Sequence, residues 1–100
     1  MQIGEGAKLM ILSPVMRKKK GTHEKVIERI QKEGFTRVRV DGEIKIIGED
    51  EIKLEKTFKH TIEIVIDRIV IRPEQMSRIS EAVELALSQS EGGLLLVVEL

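Results

Sequence analysis

The order of apolar patterns predicts an α+β fold: a largely antiparallel or mixed sheet with two helices packed on one face, in a single small domain. Three observations carry this. Residues 23–33 and 73–89 repeat apolar side chains at helical spacing. Residues 36–46 and 60–72 alternate with a period of two. Leu9-Met10-Ile11-Leu12 and Leu94-Leu95-Leu96-Val97-Val98 are short continuous apolar runs at the two ends of the chain.

Size and composition bound what can be built. The chain has 100 residues, enough for one core, with 41% hydrophobic and 34% charged residues, which excludes a disordered polymer. Cysteine is absent, so disulfides and thiolate chemistry are excluded. There is no apolar run of membrane-spanning length and no signal peptide, which leaves a soluble cytoplasmic protein as the expectation. Lys and Arg number 17, as do Asp and Glu, and the only aromatics are Phe35 and Phe58. A dedicated nucleic-acid binder usually has a basic excess and stacking rings.

The elements follow in order. Residues 1–7 read as a loose glycine-rich lead-in to a domain over residues 8–100. Leu9 to Leu12 reads as an interior strand buried on both faces, with Pro14 near its end. Arg17-Lys18-Lys19-Lys20-Gly21 reads as a loop, and Thr22 as the N-cap of a helix over 23–33. Gly34 stands where a left-handed residue ends that helix.

Asp41-Gly42 is a hairpin signal between two strands. A two-residue loop pairs Val40 with Glu43 and sets Arg39 opposite Ile44. A three-residue loop pairs Val40 with Ile44 and Val38 with Ile46, keeping four apolar residues together, and is the favoured register. Arg37, Arg39 and Lys45 then share a wet face. Residues 48–58 are charged and irregular, with Leu54 and Phe58 as anchors.

Residues 60–72 form one long strand. Either its second half is covered on both faces, or a bulge near Asp67 and Arg68 resets its phase. Pro73 opens a second helix, which Gly92-Gly93 ends. The last apolar run reads as a second fully buried strand. The order strand, helix, strand, strand, strand, helix, strand also permits a ferredoxin-like arrangement. Two interior strands at the chain ends would lie side by side and bring the termini together, as in an insert of a larger protein.

No local chemistry stands out. Gly4-Glu5-Gly6 lacks the third glycine of a dinucleotide loop. His23 and His60 have no carboxylate cluster at ligand spacing and read as a first-turn helix residue and a strand-end residue bonded to backbone or a neighbouring acid. Glu63 and Asp67 fall on one strand face about 13 Å apart, too far for an acid/base pair. No catalytic, cofactor-binding or metal-binding residue is therefore assigned. Arg37 and Arg39 on a rigid strand make a surface for an acidic partner, although one wet strand face is also ordinary. Arg17, Lys18, Lys19 and Lys20 need no function as a solvated loop; as phosphate contacts they would give a weak, sequence-blind affinity for DNA.

Leu12-Ser13-Pro14-Val15, Lys20-Gly21-Thr22-His23, Gly34-Phe35-Thr36-Arg37-Val38-Arg39-Val40-Asp41-Gly42-Glu43, Lys59-His60-Thr61-Ile62-Glu63 and Val65-Ile66-Asp67-Arg68 stand in that order through the chain. With Ser77-Arg78-Ile79 and Glu84-Leu85-Ala86-Leu87, they resemble the UvrB-binding domain of the UvrA family, subunits of the bacterial nucleotide excision repair ATPase. The resemblance runs from about Leu9 to Val98. It implies a protein-interaction module that docks UvrB, with the remainder of UvrA as its second partner, DNA only an indirect or weak one, and no membrane. The ATP and zinc elements of the family are not in this chain, so the expectation is no cofactor and no enzyme activity for the isolated domain. The docking candidates that the resemblance implies are Arg37, Arg39 and Arg68, with Asp67 and Glu43 as complements. Residues 47–56 match the family poorly and are assigned no role.

Overall fold

The computed structural model describes residues 6–100. Residues 1–5 of the expected lead-in lie outside the described residues. Gly6 and Ala7 are bonded to Ile71: the Gly6 N–H donates to its carbonyl (2.7 Å), and its N–H donates to the Ala7 carbonyl (2.8 Å). The strands are β1 (Lys8–Lys20), β2 (Arg37–Val40), β3 (Glu43–Ile46), β4 (Lys59–Val70) and β5 (Leu96–Glu99). They form one sheet in the order β3-β2-β4-β1-β5, antiparallel at every pairing. Helix α1 (Glu24–Lys32) links β1 to β2, and α2 (Met76–Gln89), entered through a 3₁₀ turn at Pro73–Gln75, links β4 to β5. With β3 set aside, this is the ferredoxin-like winding that the sequence permits.

Both helices lie on one face. Ser13 of β1 stands opposite Ile64 of β4, so the two share that face. Ile64 packs with Ile30 of α1 in a cluster with Val15, Val38, Val40 and Ile62. The Ser13 hydroxyl donates to the Ala86 carbonyl of α2 (2.6 Å), beside a cluster of Ile11, Ile69, Ala82 and Ala86. The α1 stripe of Val26, Ile27 and Ile30 follows from its helical spacing. Its end is a Schellman motif: the Gly34 N–H donates to Gln31 O, the Phe35 N–H donates to Ile30 O, and Gly34 is left-handed at φ 94°.

Several expectations are corrected. Arg17 to Lys20 are strand, not loop: β1 continues through them, with Lys19 opposite His60 and Lys20 opposite Lys59. Pro14 is tolerated inside β1 because β5 pairs only with Leu9 to Leu12, so β1 is an edge beyond that point. Thr22 does not cap α1. His23 occupies the cap position in a left-handed conformation (φ 52°), with no side-chain cap bond. Its ring Nε2 lies 2.8 Å from the Lys19 carbonyl instead. The last apolar run is not an interior strand. It forms the edge strand β5, where Val97 and Val98 are half-buried and Leu96 is exposed. It does lie beside β1, and the Leu100 N–H donates to Lys8 O (2.8 Å).

The hairpin takes the two-residue register. Val40 pairs with Glu43, Arg39 with Ile44, Val38 with Lys45 and Arg37 with Ile46. Asp41 and Gly42 both have positive φ (49° and 88°), as a type I′ turn requires. Three contacts to β4 hold Asp41 there. Its N–H donates to Thr61 O (2.9 Å), one carboxylate oxygen accepts from the Thr61 N–H (2.8 Å), and the other meets His60 Nδ1 (2.7 Å). Lys45 therefore does not share a face with Arg37 and Arg39; Ile44 and Ile46 do.

In β4 the bulge is realised. Ile11 faces Asp67 while Leu12 faces Val65, which leaves Ile66 as the extra residue. The phase reset lets Ile62 and Ile64 before it, and Ile69 after it, all face the helices. It also turns Glu63 and Asp67 to opposite faces, where a regular strand would put them on one.

Candidate functional site

Cross-strand register lays out the face turned away from the helices. One row runs Ile44, Arg39, Glu63, Pro14; another Val65, Leu12, Leu96; a third Arg68, Met10, Val98. Met10, Leu12 and Val65 are buried in a cluster with Val98, and neither helix contributes to it. Charged residues therefore border an apolar centre.

Arg39 is not free on this face. Its Nε and one terminal nitrogen donate to the two carboxylate oxygens of Glu63 (2.7 and 2.9 Å), and the side chains are 21% and 7% exposed. Two fixed strands hold this bidentate pair, with the partners directly opposite each other. Glu63 was legible as a strand residue, but its partner depends on the β2–β4 register, which no local pattern encodes.

Arg37 and Arg68 are different. Both are exposed, and among the described residues neither side chain has an ion pair. They come from different strands yet line one shallow groove of about 300 Å³, with Thr36, Val65, Ile66 and Asp67. The bulge at Ile66 places Arg68 there by turning it onto the face of Met10 and Val65.

Asp67 faces the helices and is occupied. The Arg78 Nε and a terminal nitrogen of the same guanidinium donate to its two oxygens (2.9 and 2.7 Å), and the Arg68 N–H donates to one of them (2.8 Å). The Arg78 bond, working against burial, holds the Asp67 carboxyl below its ordinary pKa, and the same bond raises that of Arg78. Asp67 thus ties α2 to the bulge. Glu43 is exposed at the sheet edge, 3.5 Å from Lys45.

His60 is buried and lies between two elements. Its Nδ1 meets Asp41 and its Nε2 meets the Glu55 carbonyl, both at 2.7 Å, so it joins the hairpin turn to the irregular segment before β4. The Asp41 bond, then the Glu55 carbonyl, raise the His60 pKa above its ordinary value. Burial pushes the Asp41 carboxyl upward, but the His60 bond and the Thr61 N–H outweigh it and hold the carboxyl below the usual range. The His23 ring stands edge-on to that of His60 at 6.1 Å. Among the described residues no group of three or more His, Cys, Asp or Glu is placed to hold a metal ion. No helix there is long and apolar enough to cross a membrane.

Comparison with known proteins places the chain in a family. The family model described as "UvrA interaction domain" matches residues 1–99. The chain is 51% identical over 92 residues to the UvrABC system protein A of Clostridium perfringens and 54% identical over 92 residues to that of Lactococcus lactis. It is 48% identical over 94 residues to the protein of that name in Methanothermobacter thermautotrophicus. Each match covers 92% of this chain and 10% of the relative, so the chain spans about a tenth of the length of the relatives it matches.

Proposed function

Since the chain belongs to the UvrA interaction domain family, we propose that it is the module through which UvrA docks UvrB in bacterial nucleotide excision repair. One observation carries this reading: Arg37 and Arg68, exposed and without ion pairs among the described residues, line a common groove beside the buried apolar cluster. Two guanidiniums on rigid strands offer forked donors to carboxylates of a partner, in a groove floored by the edge of the buried cluster at Val65. Arg39 and Glu63 support the surface by fixing β2 against β4. Glu43 stands opposite Val40, outside the groove lining, while Asp67 contributes through Arg78 and the bulge. In this reading the module has no catalytic role and no cofactor of its own, acts in the cytoplasm, and leaves the ATPase chemistry to the remainder of UvrA.

The test is calorimetry of purified UvrB with Arg37→Glu and Arg68→Glu variants whose far-ultraviolet circular dichroism matches the unmodified chain. A desolvated arginine at the centre of the interface should cost roughly 2–5 kcal/mol of binding, and a rim arginine should mainly slow association. Full affinity in both folded variants would remove the assignment. Arg39→Glu is unsuited to the purpose, because it sets a second carboxylate against buried Glu63 and reports on folding.

A further inference from the structure

We propose that the far end of the β1–β4 pair is a track for the phosphate backbone of double-stranded DNA, separate from the arginine groove. In a regular strand Arg17 and Lys19 would face one way, and Lys18 the other. The register of β1 slips between Met16 and Lys19, and Lys18 takes a left-handed backbone conformation (φ 48°). As a result Arg17, Lys18 and Lys19 line a single groove of about 470 Å³ with Thr61, whose hydroxyl accepts the Lys18 N–H at 3.2 Å. Lys20 stands directly opposite Lys59, a like-charge pairing that opposes stability. Charged edge strands also discourage aggregation, but that purpose requires neither the left-handed Lys18 nor three basic residues lining one groove.

The chemistry of the patch selects its ligand. Arg17, Lys18, Lys20 and Lys59 are exposed, with no ion pair among the described residues. Among the described residues no acidic side chain lines the groove, and Asp41 lies at the other edge of β4, toward β2. Lysines act as point charges suited to sequence-blind phosphate contact, whereas a specific acidic peptide favours arginine forks. Among the described residues no aromatic ring lines the groove to stack an unpaired base, and no large apolar side chain there would anchor a membrane. Residues 17–20 cover about 10 Å of extended strand, against one phosphate charge per ~1.7 Å of duplex. The zero net charge of the chain does not oppose this: after Arg72, Glu74, Glu81, Glu84, Glu91 and Glu99 are offset by Arg78 alone, so the compensating negative charge sits elsewhere in the sequence. The two sites lie about 20 Å apart along β4.

Fluorescence anisotropy with a labelled mixed-sequence duplex tests the proposal. The chain should bind in the ~10⁻⁴–10⁻⁶ M range. Four neutralised phosphates imply a slope of about −3.6 in log affinity against log salt, roughly a hundredfold loss between about 50 and 200 mM. A folded variant combining Arg17→Gln, Lys18→Gly, Lys20→Gln and Lys59→Gln should lose most of that slope and at least about tenfold in affinity; glycine at 18 keeps the left-handed backbone without strain. Arg37→Gln with Arg68→Gln should bind the duplex normally, so failure here is distinct from failure of UvrB docking. Salt-independent binding, an unaffected quadruple variant, or tighter binding to single strands, anionic vesicles or acidic peptides would overturn the proposal.

Discussion

Removing Arg39 should be among the most damaging single truncations on the sheet face away from the helices. Glu63 is 7% exposed and receives both of its short side-chain bonds from that guanidinium. Arg39→Ala leaves a buried carboxylate without its partner, at a cost of about 3–5 kcal/mol, a large part of the ~5–15 kcal/mol available to a domain. Glu63→Gln should cost less, about 1.5–3 kcal/mol, because the guanidinium is 21% exposed and retains some water. Arg39→Met with Glu63→Leu should be near neutral or stabilising, since neither charge is then buried. Urea denaturation is the assay, followed by circular dichroism because the chain has no Trp or Tyr. At a typical slope the Arg39→Ala midpoint should fall by roughly 2 M. A cost below about 1 kcal/mol, the range of a screened surface pair, would refute the reasoning. So would a double variant as unstable as Arg39→Ala.

Three further outcomes are expected. Protonated His60 donates to both Asp41 and Glu55 O, and a neutral ring has a single N–H to share between them. Its contribution is complete below its unfolded pKa of about 6.5 and is lost as pH rises through the raised folded value, whereas that of depressed Asp41 is lost as pH falls through its folded value. Thermal midpoints should therefore decline above about pH 6.5, and His60→Gln should flatten that limb; a flat profile in the unmodified chain counts against the latch. Gly42→Ala should cost about 1–2 kcal/mol in urea through its φ of 88° alone, since the added carbon meets nothing within 4 Å; an unchanged midpoint would contradict the type I′ turn. Ser13→Ala should lose about 1 kcal/mol with its buried bond to Ala86 O, and Ser13→Val should lose more by crowding; the reverse order would show a loosely packed site.

Helix α1 was legible because Val26, Ile27 and Ile30 recur at helical spacing and Gly34 closes the last turn, all within a dozen residues. The ferredoxin-like winding was only permitted by the element order, because strand order in a sheet is not a local property, and β5 proved to be an edge strand. The hairpin register was misread because apolar bookkeeping favoured Ile44 on the core side. The structure leaves Ile44 45% exposed, since Asp41 is pinned by Thr61 and His60, residues remote in sequence. Alternation alone makes Arg39 a surface cation, because its partner Glu63 lies 24 residues away and is set by strand pairing. Arg68 reaches the groove through a bulge that the alternating pattern offers, near Asp67 and Arg68, as one of two alternatives.

What the amino-acid order determined alone is whatever local spacing controls: the two helices, the cores of the strands though not the extension of β1 through Lys20, the glycines that end α1 and shape the hairpin, and the absence of cysteine from this sequence. Tertiary structure decided which charges are spent inside the molecule. Arg39 and Asp67 are consumed by Glu63 and Arg78, while Arg37 and Arg68 are left for a groove. The physical reason is that a side chain's partner is set by register between strands distant in sequence, and one extra residue, Ile66, reverses the face of everything beyond it.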